Sequence, residues 1–166
     1  MDSDAEFETF VVERWPVLVR SAVLLGCSRA EAEDVAQTTL VRCYAAWSKV
    51  TAADNRDGYV YRMLVNAHRD SRRRRWWGEA PTEVVESPTG DGLDAVDGAD
   101  VVRRALERLS AGQRQVVVLR FYVQLSEKET AEVLGIPAGT VKSRLARALD
   151  ALASDPGLNA LTGGVA

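Results

Sequence analysis

Four residues near the end of the chain carry side chains that could hold a phosphate or a base edge. They are Lys142, Ser143, Arg144 and Arg147, within GIPAGTVKSRLARAL, 135–149. Lysine and arginine neutralise phosphate, and arginine also offers a bidentate fork to guanine. Thr140 adds a hydroxyl just ahead of them. A second set lies upstream, where Arg69 to Arg75 reads RDSRRRR, with five arginines and one aspartate. Tyr59, Tyr61, Trp76 and Trp77 flank these arginines with aromatic surface. Bases freed from a duplex stack on such rings while arginines hold the backbone. Arg62, Asn66 and Arg69 recur at helical spacing, so one helix face could lie along a nucleic acid. The plainer reading of both sets is a solvated basic face. For Trp76 and Trp77, packing into a core is as good a reading as base contact.

Other chemistries find little support. The one histidine, His68, sits among arginines and reads as a surface or DNA-facing side chain rather than a catalytic base. There is no Gly-rich phosphate loop, nucleophile elbow or metal-ligand cluster, so neither an enzyme nor a metal or cofactor site is expected. Cys27 and Cys43 are widely spaced and read as buried thiols in a reducing compartment. The acidic start, MDSDAEFETF, does not have the pattern of a secretory signal. No apolar run approaches the roughly 18 residues of a membrane span.

The elements that must position these residues are helices. Phe7, Phe10, Val11, Trp15 and Leu18 recur at three- and four-residue steps, with Pro16 expected to kink or interrupt the segment. Gly26 closes it, and Ser28 with Glu31 forms a capping box for a helix at about 29–48. That helix places Val35, Leu40, Val41, Tyr44 and Trp47 near one side. VTAADNRD, 50–57, reads as a polar loop. A third helix starts near Asp57 and runs through the arginines, with Val60, Met63, Leu64 and Ala67 as its apolar stripe. Further on, Val101, Val102, Ala105, Leu106 and Leu109 mark another helix. The run VVVLRFY, 116–122, could alone be a buried strand, but it has no partner strand and reads as helix.

Ser126 and Glu129 form a further capping box ahead of a short helix. Gly135 then suits a left-handed turn, Ile136 packs under it, and Pro137 suits a helix start. The following helix has Val141, Leu145, Ala148, Leu149 and Leu152 on its buried side. This is the helix-turn-helix pattern, whose second helix enters the major groove. No strand pairs stand out, so the fold class is all-α.

Net charge is −3, but it is unevenly spread. From Gly78 to Asp100 there is no Lys or Arg, while Glu79, Glu83, Glu86, Asp91, Asp94, Asp97 and Asp100 are present. Two prolines, four glycines and no periodicity make this a flexible linker. The expected organisation is two small helical domains: 1–77, an acidic linker at 78–98, and 99–154 ending in the helix-turn-helix. The tail, 155–166, is small and Gly-rich and is expected to fray.

Three stretches resemble bacterial RNA polymerase sigma factors of the extracytoplasmic-function (ECF) class, close to the compact actinobacterial sigma-E-like group. AEDVAQTTLVRCYAAW, 32–47, resembles the helix that docks on the polymerase clamp helices. YVYRMLVNAHRDSRRRR, 59–75, resembles the helix that contacts the minus-ten promoter element. Residues 109–152 resemble region four, which reads the minus-35 element. Together they span about residues 5–153. The resemblance implies core-polymerase contacts at Asp34, Gln37, Leu40, Val41 and Tyr44. It implies minus-ten contacts at Asn55, Arg56, Tyr59, Tyr61, Arg62, Asn66, Arg69, Arg72 and Arg73, with Tyr59 where the family usually has Trp. Minus-35 contacts fall at Thr140, Lys142, Ser143, Arg144 and Arg147. Core RNA polymerase and promoter DNA are the implied partners, an anti-sigma factor is a further candidate, and the implied location is the cytoplasm. The competing reading is a stand-alone helix-turn-helix regulator with a sensing or dimerisation domain at 1–77.

Overall fold

The computed structural model describes residues 2–78 and 97–163. Most of the expected acidic linker lies outside the described residues. All regular elements among the described residues are helical. They fall into two compact units, one drawing mainly on the helices before the acidic segment and the other mainly on those after it.

The first unit contains α1 (Ser3–Leu24), α2 (Arg29–Ala45), α3 (Trp47–Ala52) and α4 (Arg56–Trp76). Helix α1 continues through Pro16, so the proline does not interrupt it. Proline removes the donor that the carbonyl four residues earlier would use. That residue is Val12, which is 76% exposed, so water can take the donor's place. Helix α2 starts on Ser28, whose hydroxyl accepts from the Glu31 amide at 3.3 Å. It packs against α4, with Cys43 Sγ 3.6 Å from Met63 Sδ, and buries Val35, Ala36, Thr39, Leu40 and Cys43. The polar loop expected at 50–57 is shorter than that. Val50 is fully buried within α3, and only residues 53–55 separate α3 from α4. Phe7, Phe10 and Trp47 form an aromatic cluster with centroids 5.0–6.1 Å apart, and the Tyr44 ring caps Phe7 at 4.9 Å.

Both cysteines are buried and unpaired with each other. Burial pushes the Cys27 thiol up to about 12 and the Cys43 thiol up to about 11. His68 is also buried, not a surface side chain, because it lies on the packed side of α4 beside Leu64 and Ala67.

After the acidic segment come α5 (Asp97–Glu107), α6 (Ala111–Val117), α7 (Glu127–Leu134), α8 (Ala138–Ala153) and α9 (Pro156–Gly163). Ser110 and Gln113 form a reciprocal capping box at the start of α6. The VVVLRFY run is helical, but its second part, Val118–Tyr122, is a π-helical turn. Beyond it Gln124 takes a left-handed backbone, φ 65°, unusual for a residue with a Cβ.

Within the tail, residues 156–163 do not fray as expected. They form α9, which packs on α5. Asp155 explains why. Its Oδ1 accepts from the Gly157 and Leu158 amides at 2.9 and 3.2 Å, capping the helix. Its Oδ2 takes an ion pair from Arg108, and those bonds hold its carboxyl below the usual carboxylate range, the Arg108 bond most.

Candidate nucleic-acid interface

Helix α4 divides cleanly into two faces. Val60, Tyr61, Leu64, Val65, Ala67 and His68 are buried. Arg62, Asn66, Arg69 and Arg73 are exposed, and Tyr59 is half-buried at the head of the same row. The steps between them are three, four, three and four residues. At 3.6 residues per turn they share one side of the helix. Arg72 is exposed beside this row.

Tyr61 is not on this face. It is only 2% exposed, and its hydroxyl is 2.8 Å from Ser21 Oγ in α1. The side chain is committed to the core, so it cannot meet DNA directly. Spacing alone cannot separate Tyr61 from Arg62; the polar partner that draws the phenol inward lies on another helix.

The head of α4 is built by Asn55. Its side-chain oxygen accepts from the Gly58 amide at 3.0 Å, an N-cap. Gly58 makes room for this: a Cβ there would lie 2.5 Å from Asn55 Nδ2. Arg56, exposed, places its guanidinium over the Trp47 ring, 6.0 Å from the centroid. Both candidate pocket residues thus have local tasks as well as positions at the loop. Arg75 forms an ion pair with Glu31, which ties the last turn of α4 to α2. Arg42 and Asp70, 2.8 Å apart, add a second tie between these helices.

Helix α2 presents Asp34, Gln37, Val41 and Tyr44 as another exposed row. Val41 is 63% and Tyr44 55% exposed, so this row has an apolar centre. The Tyr44 hydroxyl donates to Asp4 at 3.4 Å. Leu40, by contrast, is buried. It supports the row from beneath and is not a surface contact.

In the second unit, the Ser126 and Glu129 box is present: the Glu129 amide donates to Ser126 Oγ at 3.0 Å, and the Ser126 amide to Glu129 at 3.2 Å. Gly135 has φ 66°, the left-handed turn that glycine permits, and α8 starts after Pro137. Val141 and Ala148 are buried, whereas Leu149 is exposed on α8. Lys142, Ser143 and Arg147 are exposed, and Thr140 and Arg144 half-buried. Ser143 donates its hydroxyl hydrogen to the Thr140 carbonyl at 3.1 Å, leaving its lone pairs as acceptors. The Arg144 guanidinium lies against Gly112 of α6; a Cβ there would be 3.2 Å from it. Arg144 is therefore partly occupied in packing α8 on α6.

Trp76 and Trp77 are 86% and 71% exposed, so neither is a core residue. Among the described residues no cluster of metal-ligating side chains is present, and no helix is long and apolar enough to cross a membrane.

A basic exposed helix and, further along the chain, a helix-turn-helix define a DNA-reading transcription protein. The sequence matches the models of Sigma-70 region 2 over residues 11–78 and Sigma-70, region 4 over residues 99–152. It is 40% identical over 145 residues to an RNA polymerase sigma-E factor of Streptomyces coelicolor, covering 87% of this chain and 82% of that one. It is 35% identical over 137 residues to the ECF RNA polymerase sigma factor SigM of Mycobacterium tuberculosis, covering 82% and 69%. The sigma factor RpoE of Bartonella quintana, solved in complex with the anti-sigma factor NepR, superposes with a TM-score of 0.71 at 26% identity, covering 89% of this chain and 94% of that one. The chain belongs to the ECF class of RNA polymerase sigma factors.

Proposed function

We propose a division of labour among the exposed rows. The row Tyr59, Arg62, Asn66, Arg69 and Arg73 of α4 holds the minus-ten element and helps open it, with Arg72 on the adjoining backbone. Asn55 and Arg56, at the head of α4, stand beside an extruded base. Lys142, Ser143 and Arg147 of α8, with Thr140 and the free edge of Arg144, read the minus-35 duplex. Asp34, Gln37, Val41 and Tyr44 of α2 dock on core polymerase. The single observation that carries this reading is the α4 row: cationic and amide side chains at helical spacing, all exposed beyond Tyr59.

The action is by binding, without covalent chemistry. Unstacking a base costs a few kcal/mol, and the α4 contacts must return about that much. Residues 1–77 and 99–154 are the two functional pieces, and the carboxylates of the acidic sequence between them imitate nucleic-acid charge. An anti-sigma factor is a fitting regulator, as for the Bartonella relative, and the cytoplasm is the location that suits these partners.

The test is permanganate footprinting of polymerase carrying the chain with Arg62→Ala and Asn66→Ala. Core binding should be retained while the open minus-ten signal falls about tenfold or more. Unchanged opening would remove α4 from this role.

A further inference from the structure

We propose that Trp76 and Trp77 extend the α4 row with a stacking platform for unpaired bases of single-stranded DNA. The inference rests on the minus-ten role proposed for α4. Three observations carry it. The first is exposure: the two rings are 86% and 71% exposed, whereas Trp47 is buried. Adjacent exposed indoles leave a large apolar area in water, which fits a surface that something covers.

The second is register. Trp76 and Trp77 stand three and four residues beyond Arg73, which continues the three- and four-residue steps from Tyr59 through Arg62, Asn66 and Arg69. The rings therefore lie in line with the row, at its C-terminal end. From Arg62 to Trp76 the helix rises about 21 Å, on the order of six nucleotides at about 3.4 Å per stacked step.

The third is charge. The C-terminal end of a helix carries partial negative charge and by itself repels phosphate. Here Arg72, Arg73 and Arg74 are exposed in the last turns and reverse that sign. Arg75 instead pairs with Glu31 and anchors the turn to α2, so the rings stand on a braced element. Arginines for phosphates beside rings for base faces are the paired requirements of single-strand binding. Base faces are covered in a duplex, so the platform selects the unpaired strand. A protein surface docking on the indoles would have to desolvate the three arginines as well, which disfavours it.

The experiment uses the full chain bound to core polymerase, with a fluorescein-labelled, fully degenerate 12-nucleotide strand and a duplex of that length. Trp76→Ala with Trp77→Ala should weaken single-strand binding about tenfold or more, leave duplex binding within about twofold, and keep the salt slope, since no phosphate contact is lost. Trp76→Phe with Trp77→Phe should restore single-strand binding to within about threefold, because a ring still stacks. Unchanged single-strand affinity in the alanine pair would overturn the proposal. So would equal losses on strand and duplex, or a loss confined to core-polymerase binding, which would make the indoles a protein contact. Arg62→Ala with Asn66→Ala, run in parallel, separates the two readings. If that pair binds the strand like wild type, the α4 assignment fails; if it is weak while the tryptophan pair is not, only the platform fails.

Discussion

The phenolic hydroxyl of Tyr61 in α4 lies 2.8 Å from Ser21 Oγ in α1, across 40 positions of sequence. Ser21 already donates its own hydrogen to the Val17 carbonyl at 2.8 Å. A hydroxyl has one hydrogen to give, so Tyr61 is the donor and Ser21 the acceptor. This pins the buried side of α4 and thereby sets which side chains of that helix face outward.

Tyr61→Phe should therefore cost about 1.5 kcal/mol of stability, since it leaves the buried Ser21 oxygen without its donor. Chemical denaturation would read this as a lower midpoint at constant slope. DNA affinity of the folded protein should stay within about twofold; a specific loss of DNA binding at full stability would return Tyr61 to the interface.

On α8, Lys142→Ala with Arg147→Ala should weaken binding to minus-35 duplexes and lower the salt slope by about two, one per lost phosphate contact. Titration by fluorescence anisotropy at several salt concentrations gives both quantities. An unchanged slope would mean that these side chains face solvent in the complex.

Asp155 gives an acid dependence with a definite sign. Its carboxyl titrates lower in the folded chain than its ordinary value of 3.8, chiefly because Arg108 donates to it. Its stabilising contribution is present above that ordinary value and is lost as pH falls through the depressed folded value. Asp155→Asn should therefore lower the thermal midpoint at pH 7 and converge with wild type as pH falls below 3.8 and through the depressed folded value. Melting followed by circular dichroism across that range is the check, and parallel curves at all pH values would contradict it.

Cys27 gives the opposite sign. Burial raises its thiol from 9.0 to about 12. Stability from the neutral thiol is complete below pH 9 and is lost as pH rises towards 12. At pH 8 the native protein should react with a thiol-specific disulfide reagent far more slowly than the unfolded chain. Rapid native labelling of Cys27, located by mass spectrometry, would show the site to be open.

Much of the fold was legible because its signals are local. Ser28, Ser126 and Gly135 mark helix ends through their own hydrogen bonds or backbone angle, and all three act where the pattern put them. The all-helical class follows from three- and four-residue steps that need no knowledge of tertiary packing. What was not legible depends on distant partners. Tyr61 and Arg62 are neighbours in an attractive polar-aromatic run, and the phenol meets Ser21 on another helix while Arg62 faces outward. Leu40 and Val41 look equivalent, yet one is buried and the other is 63% exposed. The Gly-rich tail has no local sign of order, yet Asp155, held by Arg108 from 47 residues away, caps the helix at 156–163. The dyad Trp76 and Trp77 was undecided between core and surface; the rings lie past the packed stretch of α4 and stay outside.

The most direct measurement is reconstitution. Purified chain should bind core RNA polymerase and redirect it to a defined set of start sites on genomic DNA, mapped by run-off sequencing of the transcripts. Substituting Val41→Asp and Gln37→Ala on the exposed row of α2 should abolish core binding and those transcripts together, with the thermal midpoint unchanged. Promoter-specific binding by the chain alone, with no association with core and no change in its start sites, would contradict the assignment.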